Sequence, residues 1–159
     1  MFKRKKNFLN PLLVEKNEQI FYIKNVNPGN VVFDVGANIG ELTLLFSKFV
    51  GNNGQVHSFE PTPTTFEKLS SIMQVTNRKN VILNNFAVHE DKRLVAFNIY
   101  DKEYASWNTL ANRPLEKYGI HINSPSTIEV PTTSIDLYCS ENSIKQIDLL
   151  KIEDRKSVV

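Results

Sequence analysis

Val31-Val-Phe-Asp-Val-Gly-Ala-Asn-Ile-Gly40, followed by Ser58-Phe-Glu-Pro61, is the stretch whose reading decides the fold. Val31–Val35 is a short apolar run rich in β-branched side chains, the pattern of a parallel strand covered on both faces. Gly36 and Gly40 turn the chain into a helix over Glu41–Val50, in which Leu42, Leu45, Phe46 and Phe49 share one face. Gly51-Asn-Asn-Gly54 ends that helix, and Gln55–Phe59 reads as the next strand. Thr62 or Thr64 can cap a further helix to about residue 76, with Phe66, Leu69, Ile72 and Met73 as its buried stripe. Asn80–Phe86 is a third strand. Alternating strands and helices with short links make a βαβαβ unit with right-handed crossovers, so the expected class is α/β with a doubly wound parallel sheet.

Outside this unit the chain is ordinary. Its 159 residues suffice for one domain and not for two. A hydrophobic fraction of 41% and a charged fraction of 23% fit a globular protein, and a net charge of +2 gives no basis for nucleic acid as a partner. One cysteine, Cys139, excludes an internal disulfide framework and suits a reducing compartment. Met1-Phe-Lys-Arg-Lys-Lys6 resembles the start of a signal peptide, but the apolar stretch after it is short and broken by Asn10 and Pro11. No stretch approaches the roughly 20 apolar residues of a membrane span. The expected location is therefore cytoplasmic.

Residues 12–26 have loosely helical spacing and end at Asn27-Pro28-Gly29, so residues 1–29 form a helical lead-in to a domain over 30–153. Beyond the third strand, Leu94–Tyr100 alternates like a half-exposed strand, and residues 101–126 read as a long loop. Loops of that length commonly cover a site. Ile128–Thr132 is expected to be extended, Ser134–Ser140 a short helix, and Ile147–Ile152 a buried strand.

The turn Gly36-Ala37-Asn38-Ile39-Gly40 lies where the carboxyl end of a strand meets a helix N-terminus, a place whose amides and dipole favour a carboxylate or phosphate. Asp34, two residues before the first glycine, would repel a phosphate and would hold an ammonium group. Glu60 can accept hydrogen bonds from both hydroxyls of a ribose, and Pro61 offers an apolar face to a base. A dinucleotide site wants Gly-x-Gly-x-x-Gly, yet Asn38 stands where its middle glycine belongs. A ribose and adenine bearing an amino acid tail, S-adenosyl-L-methionine, fits better than NAD. A nicotinamide-dependent oxidoreductase and a non-catalytic module that keeps only the fold are the alternatives.

Together these residues resemble the class I, Rossmann-like methyltransferases, specifically the FkbM type. The match lies in Phe33-Asp-Val-Gly-Ala-Asn-Ile-Gly40, Val56-His-Ser-Phe-Glu-Pro61, Asn85-Phe-Ala-Val88, the Ser106 to Leu110 region, Val130 to Leu137, and Ile147-Asp-Leu-Leu-Lys-Ile152. The resemblance implies that Asp34 and the turn from Gly36 through Ala37 and Asn38 to Gly40 hold the methionine part of the cofactor. It also implies that Glu60 binds the ribose and that Ala87 lies beside the adenine. The implied reaction is methyl transfer to a hydroxyl oxygen of a sugar or secondary metabolite, with a small-molecule or glycan acceptor. No His, Cys, Asp or Glu spacing suggests a metal. The general base is open. His57, inside a strand, reads as structural, His89 follows the third strand, and His121 lies in the long loop, where Tyr104 and Trp107 could stack on a sugar.

The resemblance weakens at the end. After Lys151-Ile-Glu153 the family continues into an acidic-glycine turn and a helix, whereas this chain reads Asp154-Arg-Lys-Ser-Val-Val159. That hexapeptide and a stop are what GAT CGG AAG AGC GTC GTG TAG encodes, a string resembling a sequencing adapter. Residues 154–159 are therefore expected to be a non-native tail on a methyltransferase domain incomplete at its C-terminus. Ile147–Ile152 is then expected to become an edge strand, which would favour aggregation or partial unfolding.

Overall fold

The computed structural model describes residues 11–99 and 126–153, with side chains from residue 17 onward. Its elements in chain order are α1 (Pro11–Asn25), β1 (Val31–Val35), α2 (Glu41–Val50), β2 (Gln55–Phe59), α3 (Pro63–Val75), β3 (Val81–Asn84), β4 (Ala87–Val88), β5 (Leu94–Ile99), β6 (Ser126–Thr133), α4 (Ile135–Glu141) and β7 (Leu149–Ile152). The βαβαβ unit forms with the expected boundaries to within a few residues. Tyr104, Trp107, His121 and the long loop lie outside the described residues.

Strands β3-β2-β1-β7 make a four-stranded sheet in that order, and every pairing in it is parallel. The chain first runs outward from β1 to β3, then returns to place β7 on the other side of β1. The strand order therefore reverses between β1 and β7. Crevices outside the carboxyl ends at such a switch point are where open α/β sheets bind ligands.

Both faces of the sheet are covered. On one, Val32 and Val56 pack with Phe46 and Val50 of α2, with Tyr22 of the lead-in helix α1, and with Val26 just after it. Leu69 and Met73 of α3 extend that layer to Ala37. On the other, Phe33 and Phe59 pack with Tyr138 of α4. The two layers follow from the strand alternation in β1: Val32 and Asp34 face α2, whereas Phe33 faces α4. Ser134 caps α4, its Oγ accepting from the Leu137 amide at 3.1 Å.

Two expectations are corrected. Asn80–Phe86 is not one strand. β3 ends at Asn84, and Ala87–Val88 forms a separate bridge to β6. The segment expected at Ile128–Thr132 is longer, Ser126–Thr133, and it pairs antiparallel with β5 from Leu94↔Pro131 to Ile99↔Ser126. β4, β6 and β5 thus form a second sheet with its own core of Ala87, Phe97 and Val130. β7 lies at the edge of the four-stranded sheet, with Leu150 and Ile152 exposed.

Candidate cofactor-binding site

The carboxyl ends of β1 and β2 carry the residues singled out in the sequence. The glycine turn leaves β1 with Gly36 at φ +76° and Gly40 at +92°, and Asn38 between them also has a positive φ of 52°. Such angles are cheap for glycine and tolerated by asparagine. Gly36 and Ala37 both donate backbone N–H bonds to the Phe59 carbonyl at 3.0 Å, which ties the turn to the end of β2. A Cβ on Gly40 would lie 2.5 Å from Leu69 Cδ1 and 2.7 Å from Met73 Cε, so α3 presses on the turn where only hydrogen fits.

Glu60 follows β2 and is only 3% exposed. Its two oxygens are held by backbone amides: Oε2 accepts from Asn38 at 3.0 Å and Oε1 from Thr62 at 3.0 Å. Strand end and glycine turn are thus joined through one carboxylate, which keeps a lone-pair direction on each oxygen for further donors. Asn85 Nδ2 donates to the Glu60 carbonyl at 2.8 Å and fixes the same backbone from the β3 side. Pro61 is half-buried beside it.

Asp34 does have an ammonium partner, but it belongs to the protein. The residue is fully buried, and its Oδ1 lies 3.0 Å from Lys151 Nζ. That contact is an ion pair without hydrogen-bond geometry, since Oδ1 has no aligned donor. Oδ2 accepts from Thr43 Oγ1 at 2.6 Å, and Thr43 in turn contacts Ser58 Oγ at 3.0 Å. Register explains the cluster, because Asp34 stands opposite Ser58 on β2 and Lys151 on β7. Lys151 also donates to the carbonyls of Gly36 at 3.2 Å and Val35 at 3.4 Å. The Asp34 carboxylate therefore supports the turn from beneath.

Glu153, at the end of β7, is 3.6 Å from Lys151 and closes the switch point from the other side. A Cβ on Gly36 would meet its Cβ at 3.3 Å. Ala87 is buried in the second sheet with Phe97 and Val130.

The histidines separate clearly. His57 Nδ1 is 2.8 Å from the Tyr138 hydroxyl, and its ring lies 5.0 Å from that of Phe33. Burial among these rings lowers its pKa, consistent with the structural role read in the sequence. His89 pairs with Asp91 at 3.4 Å. With Glu90 and Asp91 it is the one group among the described residues close enough to share a metal ion, but both carboxylates are exposed and engaged by Arg93 at 3.4 and 3.1 Å.

The description "Methyltransferase FkbM domain" matches residues 34–153. The chain belongs to this family. An FkbM methyltransferase domain is an S-adenosyl-L-methionine-dependent enzyme domain, and the nicotinamide alternative is set aside. A stretch of 44 residues is 50% identical to the 31-O-demethyl-FK506 methyltransferase FkbM of Streptomyces tacrolimicus, covering 28% of this chain and 16% of that protein. Among solved structures, a SAM-dependent methyltransferase from Aquifex aeolicus is 21% identical with a TM-score of 0.41, covering 57% of this chain and 53% of that one. A SAM-dependent O-methyltransferase from Thermotoga maritima is 16% identical with a TM-score of 0.43, covering 56% and 34%. The chain spans less than two thirds of the length of each of these relatives.

Lys151, Thr43 and Ser58 were missed as contributors to the site. The signal was present: a lysine inside Leu149-Leu-Lys-Ile152 and an aspartate inside Val31–Val35 are opposite charges in two otherwise apolar strands. Such charges must pair if buried.

Proposed function

We propose that this chain binds S-adenosyl-L-methionine at the β1–β2–β7 switch point and transfers its methyl group to a hydroxyl oxygen of a small-molecule or glycan acceptor. The observation that carries the reading is Glu60, held against the Asn38 amide of the glycine turn. A carboxylate at the end of the second strand, next to a backbone that admits close approach, suits a ribose diol with an amino acid tail laid along the turn. Glu60 would accept from the ribose hydroxyls, Pro61 would flank the base, and Gly36 to Gly40 would cradle the methionine portion. Asp34 would act through Lys151, which holds the Gly36 carbonyl.

The sulfonium is already an activated donor, so the protein mainly aligns acceptor oxygen, methyl and sulfur in line. Positioning of that kind can supply up to roughly 7–11 kcal/mol. A base that takes the acceptor proton can add about 10²–10⁴-fold.

Calorimetry with S-adenosylhomocysteine and NAD tests the cofactor. Binding of the first and not the second is expected, and the reverse overturns the reading. The acceptor class is tested by supplying methyl-labelled cofactor with a panel of polyols and glycans. A base-stable ether product is expected. A base-labile methyl ester would show a carboxylate acceptor instead.

A further inference from the structure

At the opposite edge of the sheet, where β2 and β3 begin, an open cleft of about 650 Å³ lies between the ends of α2 and α3. From the cofactor turn it is separated by the length of a five-residue strand, roughly 16 Å at 3.3 Å per residue. Its lining includes Lys48, Arg78 and Lys79 together with the amide side chains of Asn52 and Asn77, and it contains no carboxylate. We propose that this cleft is a second binding site, for a small ligand bearing phosphoryl groups. The proposal is independent of the methyltransferase reading.

The bland role for cations at this edge is to neutralise the carbonyls that helices expose at their C-termini. Most of those carbonyls already have donors. Asn80 Nδ2 donates to Ser47 and Gly51, each at 2.8 Å, and the Gly29 amide takes Val50 at 2.8 Å. On α3, Thr76 Oγ1 donates to Ile72 at 2.7 Å, the Asn77 amide to Gln74 at 3.1 Å and the Arg78 amide to Met73 at 3.2 Å. These bonds already satisfy much of both helix ends, so capping leaves the three cationic heads little to do.

Nor are the cations used elsewhere. None of Lys48, Arg78 and Lys79 has an ion pair among the described residues. Arg78 Nε is closed off from solvent and has no acceptor. An unpartnered N–H there costs free energy, which a shift of the half-buried side chain toward a bound anion would relieve. A guanidinium presents a planar fork suited to phosphate oxygens, and the two ammonium groups add charge that a polyanion neutralises. The cleft is too open and polar for an apolar ligand.

Titration calorimetry of the purified protein with inorganic pyrophosphate at low salt tests this. Saturable binding at one site is expected, weakening as salt is added. Arg78→Gln should lower the affinity at least tenfold. Lys48→Gln combined with Lys79→Gln, both on exposed side chains, should do the same without risk to the fold, as circular dichroism would show. Lys68→Gln, the same single charge change as Arg78→Gln but on an exposed position of α3, should leave the affinity unaltered. S-adenosylhomocysteine binding should be the same in all four proteins. Absence of saturable binding, an equal loss in Lys68→Gln, or unaltered affinity in the cleft variants would each overturn the proposal.

Discussion

Lys151 places its ammonium 3.0 Å from Oδ1 of Asp34, with Lys151 only 7% exposed and Asp34 fully buried. The pair joins neighbouring strands at the point where the sheet reverses order, and the same ammonium donates to the Gly36 carbonyl. A charge pair taken out of water is held for what it positions as much as for its own energy. Here it fixes the first residue of the turn on which the proposed cofactor site is built.

Removing one partner strands the other. Lys151→Met should destabilise the fold by roughly 3–5 kcal/mol, because a buried carboxylate loses its counter-charge. Asp34→Asn added to Lys151→Met should recover part of that loss, since no uncompensated charge remains. Urea unfolding of the parent, the single variant and the double variant measures both steps. A Lys151→Met midpoint equal to that of the parent would refute the role given to this pair.

Glu60→Gln probes the other link beneath the turn. The amide keeps one oxygen and turns an –NH2 toward the backbone N–H of Asn38 or Thr62, donor against donor. A hydrogen bond to a charged group is worth about 1.5–3 kcal/mol, so S-adenosylhomocysteine affinity should fall roughly ten- to hundredfold. Calorimetry measures it, and undiminished affinity would remove Glu60 from the site.

The strands and helices of the βαβαβ unit were legible because each carries its own period: β-branched runs bounded by glycine, and Leu, Phe and Met at helical spacing. The glycine turn and Glu60 were legible for the same local reason. What could not be read was pairing between distant segments. Asp34 and Lys151 are 117 residues apart, and nothing near either one names the other. β5 likewise shows the alternation of a half-exposed strand, but its partner β6 comes only after residues 100–125. Ala87 was set beside the adenine by resemblance, and its burial with Phe97 depends on that same distant pairing.

Gly40 combines backbone strain and crowding at one position. Its φ of 92° is left-handed, so alanine there pays about 1–2 kcal/mol of strain. The new methyl also collides with Leu69 and Met73. Overpacking adds about 1–3 kcal/mol. Gly40→Ala should therefore unfold at clearly lower denaturant than the parent, and should also weaken S-adenosylhomocysteine binding. A midpoint equal to that of the parent would show that α3 does not press on the turn.

His57 gives the fold a pH dependence whose sign follows from its burial. The ring contacts Phe33 and Tyr138, and desolvation lowers its pKa below the ordinary 6.5. In the unfolded chain the imidazole takes up its proton near 6.5, while in the folded protein it stays neutral to lower pH. The unfolded state thus binds more protons across that window, so stability rises with pH there. The contribution is fully present above about pH 6.5 and is lost progressively as the pH falls toward the folded value. Unfolding free energies between about pH 7.5 and 5 should decline in the parent protein. They should decline less in His57→Gln, which cannot take the charge and can still reach the Tyr138 hydroxyl. Parallel pH profiles for the two proteins would show that His57 titrates alike in both states, and that its burial does not set this dependence.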